Sequence, residues 1–165
     1  EEVALLHQLL EPYQKSKVIL IGYSYGGTTV MASEEAFRKK IILAASVRGE
    51  LEPMFWAMKL YEWRITRPLI PKVFRAASRE KYRHITELPR YESVWVKSPS
   101  RVLSIHGKED FIVPYENSLY LEKLFNSNKF ELLPLEEGSH SLIWTNFDII
   151  KSNIIKSIFN SFSHN

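Results

Sequence analysis

The chain has 165 residues, 45% hydrophobic, 25% charged and 13% aromatic, the make-up of one folded domain, and one that excludes disorder, collagen and coiled coil. Lys plus Arg exceed Asp plus Glu by 22 − 19 = +3, too little to argue for nucleic-acid binding. The absence of cysteine removes disulfide frameworks, thiol catalysis and cysteine-held zinc or iron-sulfur clusters.

No apolar run reaches the 18 residues of a membrane span, and the start Glu1-Glu2-Val3 shows neither a basic n-region nor an apolar h-region. It also lacks a methionine, so the chain is expected to start inside a longer protein. Cytoplasm is the default compartment for a sequence with no visible signal.

Val3, Leu6 and Leu10 recur at helical spacing, with Leu5 and Leu9 alongside, and Pro12 closes the pattern. Lys17 to Gly22 is a short apolar run rich in β-branched residues, as expected of a strand covered on both faces. Thr28 to Arg38 reads as a helix, Lys40 to Ala45 as a second buried strand and Arg101 to His106 as a third. Pro114 opens a helix to Phe125, and Phe130 to Leu133 is a fourth strand. Phe147, Ile150, Ile154 and Ile158 give a closing helix its apolar stripe. Alternating strands and helices predict an α/β fold, a parallel sheet with helices on both faces.

One interval breaks the rhythm. Between the second and third strands, residues 48 to 100 hold five of the eight prolines and three of the four tryptophans. Residues 61 to 90 carry eight basic side chains against three acidic ones, so the rest of the chain is net negative. A crossover needs far less chain, which makes this an inserted helical subdomain. The expected division is a core of residues 1–47 and 98–165 with the insertion at 48–97. Met54, Phe55, Trp56, Met58, Leu60, Tyr61 and Trp63 predict a helix apolar almost all round, buried between layers. They suggest an apolar pocket, although packing among the helices is the more common role of such side chains. The basic residues could attract an anionic ester or phospholipid head group, or lean on a membrane surface. Solvation is the ordinary state of a basic helix face.

The sharpest local signal is Gly22-Tyr23-Ser24-Tyr25-Gly26-Gly27, placed where a strand gives way to a helix. A nucleophilic serine at such a tight turn needs small residues two before and two after it, and Gly22 and Gly26 meet that demand. A phosphate loop fits less well, because no Lys-Ser or Lys-Thr follows the glycines. A serine hydroxyl needs a base, normally an imidazole oriented by a carboxylate. Of the five histidines, His7 lies in the first helix, His84 in the insertion, His106 at a strand end and His164 in the tail; His140 alone sits in a loop after a strand and ahead of a helix. Only two residues are Asp. Asp148 falls in the last helix, whereas Asp110 lies in the loop after the third strand, where a short acid suits an orienting role. Glu109, Glu50 and Glu52 are weaker candidates for that third place.

Together the elbow, the loop His-Gly-Lys-Glu-Asp-Phe-Ile-Val-Pro and the segment Gly-Ser-His, in the order Ser24, Asp110, His140, resemble the α/β-hydrolase superfamily. The resemblance covers residues 1 to about 160 and implies a serine hydrolase of the esterase or lipase kind. It makes Ser24 the nucleophile, His140 the general base and then acid, Asp110 the orienting acid, and the Tyr25 backbone N–H one oxyanion donor. The four strands match the fifth to eighth of the superfamily's sheet, and residues 48–97 take the place of its cap. Nothing in the sequence matches the first four strands or the loop bearing the second oxyanion donor, so a partial sequence of a larger hydrolase is expected, the alternative being a truncated, inactive product. The implied substrate is a small ester or lipid-like molecule, and no metal or organic cofactor is implied. Two other classes share this scaffold: a non-catalytic binding protein, and an acyltransferase passing the acyl group to an alcohol or amine.

Overall fold

The computed structural model describes residues 2–54, 58–61, 63–125 and 128–160. Four parallel strands form one sheet in the order β1 (Ile19–Tyr23), β2 (Lys39–Leu43), β3 (Val102–Gly107), β4 (Phe130–Leu135). The helices are α1 (Glu2–Leu10), α2 (Tyr25–Ala32), α3 (Met58–Tyr61), α4 (Lys72–Lys97), α5 (Glu116–Leu124), α6 (Leu142–Thr145) and α7 (Phe147–Asn160). Each helix that follows a strand returns the chain to the same end of the sheet, as parallel pairing requires.

Alternation along the strands sorts the core into two layers. Ile42 and Val102 join Val30, Met31, Leu88, Trp95 and Leu121, so α2, α4 and α5 cover one face, with Leu6 and Leu10 of α1 packed against it. Ile41, Leu43, Leu103 and Ile105 meet Leu142 and Ile150 of α6 and α7 on the other. Every residue of β2 and β3 is buried, and each large aliphatic side chain so enclosed contributes about 2 kcal/mol. The expected parallel sheet with helices on both faces is the fold observed.

Two element boundaries differ from expectation in an informative way. The helix after β1 begins at Tyr25, directly behind Ser24, and ends at Ala32 rather than Arg38. Its last carbonyls are taken by the Lys40 ammonium, which reaches back from β2 to Met31 O and Ser33 O and also donates to Ser98 Oγ at 3.0 Å. Residues 34–38 are then free to lead the chain into β2, with Phe37 inserted into the core.

In the insertion, α4 runs for 26 residues. Its far end is part of the sheet's covering layer, because Leu88 and Trp95 belong to the core. Gly49 lies so close to α4 that a Cβ there would meet His84 C and Ile85 N at 2.4 Å. Met54, Leu60 and Trp63 are exposed, which corrects the expected burial between two layers; Phe55 and Trp56 lie outside the described residues. Among the described residues no helix is long and apolar enough to cross a membrane.

Candidate active site

Ser24 stands between β1 and α2 with φ 53°, a left-handed conformation that costs a residue with a side chain about 1–3 kcal/mol. The turn is held by Ser24 N–H donating to Leu43 O at 2.8 Å and by Gly27 N–H returning to Ser24 O at 2.9 Å. A Cβ on Gly22 would lie 2.3 Å from Gly26 O, and one on Gly27 would lie 2.6 Å from Ala45 Cβ. A Cβ on Gly26 would meet nothing within 4 Å. The glycine requirement therefore holds at Gly22 and Gly27; it does not hold as a steric demand at Gly26. Tyr25, the first residue of α2, has an N–H of the kind that finds no carbonyl within its own helix.

The loops after β3 and β4 cross at Gly107 and Gly138. A Cβ on Gly107 would fall 1.9 Å from Gly138 O, and Lys108 N–H and Glu109 N–H donate to Leu135 O and Gly138 O at 2.9 and 3.0 Å. This crossing carries Asp110 and His140 toward each other. His140 Nδ1 donates to Asp110 Oδ2 at 2.7 Å, which leaves Nε2 to accept from Ser24 Oγ at 3.1 Å. The three side chains selected from sequence, 116 residues apart at the extremes, thus form one hydrogen-bonded line.

Asp110 is fully buried. Its Oδ1 accepts the N–H groups of Ile112 and Val113 at 2.9 and 2.8 Å. Burial acts to raise the carboxyl, but hydrogen bonds from His106, His140 and Val113 N–H outweigh it and hold the group well below the usual carboxylate range. Asp110 is therefore ionised at neutral pH. Tyr23, whose phenol is pushed up by burial and by Asp110, donates to His140 O at 2.6 Å, and its ring lies 5.3 Å from the imidazole. These contacts fix the loop that carries the histidine.

The other candidates fall elsewhere. His7 meets Ser33 Oγ, Asp148 and Glu109 are exposed, Glu50 pairs with Arg48, and His164 lies outside the described residues. Glu52 joins His84, whose Nδ1 donates to it at 2.7 Å, together with Ser46 Oγ and, at 3.6 Å, Lys81. Burial opposes ionisation of Glu52, yet these partners hold its carboxyl below the ordinary value. The His84 ring also stacks on Tyr25, 5.7 Å between centroids and 5° between planes. Lys81 donates to Ile112 O at 3.3 Å, so α4 touches both the elbow and the Asp110 loop. A groove of about 640 Å³ between α1, α2 and α4 is lined by Tyr25, His84, Arg83 and Glu87 among others, a more polar wall than the apolar pocket expected from composition. Among the described residues no cluster of three or more metal-ligating side chains is found.

Sequence reasoning missed Tyr23, His106 and the Glu52–His84 pair. The spacing of His106 and Asp110, four residues across a strand end, was the only available signal.

A four-stranded parallel sheet covered on both faces, with Ser24 on the strand-to-helix elbow, defines the α/β-hydrolase fold. Residues 4–153 match the model of the prolyl oligopeptidase family, and the chain belongs to that family. No curated protein matches the sequence. Solved structures with this fold include a monoacylglycerol lipase from Paleococcus ferrophilus (TM-score 0.71, 15% identity, 96% of this chain and 74% of that one). A carboxylesterase of the thaumarchaeon Nitrososphaera gargenis aligns at TM-score 0.69 and 15% identity, over 99% and 72% of the two chains. A meta-cleavage product hydrolase from Pseudomonas fluorescens does so at 0.65 and 16%, over 96% and 71%.

Proposed function

We propose that the protein is a serine hydrolase that cleaves a carboxylic ester, or a related acyl bond, through an acyl-enzyme. The observation that carries this reading is the line from Ser24 Oγ through His140 to the buried Asp110 carboxylate. Ser24 Oγ attacks the carbonyl carbon while its proton passes to His140 Nε2, and the Tyr25 N–H donates to the developing oxyanion. Collapse breaks the bond to the leaving group, which takes the proton from His140. A water that gives its proton to His140 then attacks the acyl-enzyme, and the proton returns to Ser24 as the acid leaves. Asp110 stays ionised and keeps Nδ1 as the protonated nitrogen.

The lipase and carboxylesterase neighbours support a small ester or lipid-like substrate, and the family name brings in the peptide bond as a related acyl bond. Residues 48–97 act in this reading as a cap over a core of 1–47 and 98–165. Its support is the reach of α4 to Tyr25 through His84 and to Ile112 through Lys81. The test is pre-steady-state hydrolysis of an activated ester beside a peptide anilide. A burst of released phenol is expected, and Ser24→Ala should abolish turnover with its circular dichroism unchanged. Hydrolysis retained in that variant overturns the assignment, and added alcohol that diverts the acyl group identifies a transferase.

A further inference from the structure

His106, the penultimate residue of β3, has no exposed surface, yet it is hydrogen-bonded at both ring nitrogens. Nε2 lies 2.8 Å from Val113 O, and since a carbonyl only accepts, Nε2 carries the hydrogen. The same nitrogen stands 3.5 Å from Asp110 Oδ2. Nδ1 is 2.7 Å from Ser118 Oγ, which is 2.8 Å from Ser104 Oγ. A neutral ring satisfies every group in this buried set: Ser104 donates to Ser118, Ser118 to Nδ1, and Nε2–H points at the Asp110 turn. An exchange of tautomer would put two lone pairs, those of Nε2 and Val113 O, face to face without water. The ring also meets Tyr115 edge-on at 5.9 Å, which limits its rotation.

Val113 connects this chain to the site. Its N–H donates to Asp110 Oδ1 and its carbonyl accepts from His106, so the turn from Asp110 to Val113 is gripped by the carboxylate on one side and the imidazole on the other. We propose that His106, held in its Nε2–H tautomer by Ser118 and Ser104, is a positioning residue that aims Asp110 Oδ2 at His140. This positioning role rests on the catalytic reading above; the coupling itself is a property of the folded protein and can be read without turnover. Around His140 the facing groups are Ser24, Tyr23 and Asp110, so a change at Asp110 has a direct route to its Nδ1–H.

The experiment is proton–nitrogen NMR of protein labelled at the imidazole nitrogens, following solvent exchange of the His140 Nδ1–H in wild type, His106→Leu and His106→Gln. Leucine removes the donor, whereas the glutamine amide can restore one near the Nε2 position. The expected result is exchange about tenfold faster in the leucine variant, the size of one lost hydrogen bond, and within about twofold of wild type for glutamine. Should the leucine variant fail to fold, Ser118→Ala, which removes only the hydroxyl that fixes the tautomer, should accelerate exchange about threefold. Unchanged His140 exchange in the folded variant, or a glutamine variant as fast as leucine, overturns the proposal. Steady-state kinetics on the same proteins should show kcat about tenfold lower for leucine with KM within about twofold. Wild type that never reacts with a serine-directed fluorophosphonate would retire the catalytic reading while leaving the exchange result to decide the coupling.

Discussion

Replacing Gly107 with Ala should separate Asp110 from His140 without touching either. The added methyl would lie 1.9, 2.3 and 2.8 Å from Gly138 O, C and Cα, all backbone atoms that no rotamer change can move aside. Ordinary contact begins near 3.4 Å, so the two loops must part by about 1.5 Å. That strains the two amide bonds to Leu135 O and Gly138 O and stretches the 2.7 Å contact between His140 Nδ1 and Asp110 Oδ2 beyond hydrogen-bond range. A misplacement of this size costs about a hundredfold in reactivity, and the overpacking about 2–3 kcal/mol of stability. Both are measurable, as the rate of fluorophosphonate labelling and the urea midpoint. Gly26→Ala is the internal control: its methyl meets nothing within 4 Å and its φ is not positive, so stability should stay within about 0.5 kcal/mol of wild type. A Gly107→Ala protein that labels at the wild-type rate with an unchanged midpoint would refute the crossing as the device that assembles the site.

Lys40 offers a pH test of the fold. Burial pushes its ammonium from 10.5 down to about 8, so between those values the unfolded chain binds more protons than the folded one and stability rises with pH. The gain attributable to Lys40 between pH 8 and 10 should be about 2 kcal/mol, seen in urea titrations as a slope that Lys40→Met lacks; parallel profiles would contradict it. Asp110→Asn keeps the shape but removes the charge that opposes the imidazolium, and kcat should drop about a thousandfold or more; a loss under tenfold would speak against the assigned role. Glu52→Ala leaves His84 and Lys81 without their shared buried carboxylate and should cost about 3 kcal/mol in urea unfolding, whereas an unchanged midpoint would show that the cluster adds nothing to stability.

The two central strands were legible because a strand covered on both faces is mostly apolar, as Ile41 to Leu43 and Val102, Leu103 and Ile105 are, whereas β1 leaves Ile21 exposed and so departs from the cover on both faces expected of Lys17 to Gly22. Ser24, Asp110 and His140 were legible by residue type and by position after strand ends, since a parallel sheet gathers those ends on one side. What stayed hidden depends on contacts distant in sequence. The end of α2 is set by a lysine in the next strand, and the nearness of Asp110 to His140 by two glycines 31 positions apart in the loops. His106 reads in the sequence only as a strand-end residue, because nothing in its own neighbourhood announces the hydroxyl of Ser118. Gly26 shows the opposite error: the motif singles it out, but the steric demand falls on Gly22 and Gly27.

The most direct test of the central claim is intact-mass analysis of the protein after exposure to a fluorophosphonate, with Ser24→Ala alongside. An activated Ser24 predicts one covalent adduct in the wild type and none in the variant. Absence of an adduct on folded wild-type protein, or an adduct that persists in Ser24→Ala, would contradict it.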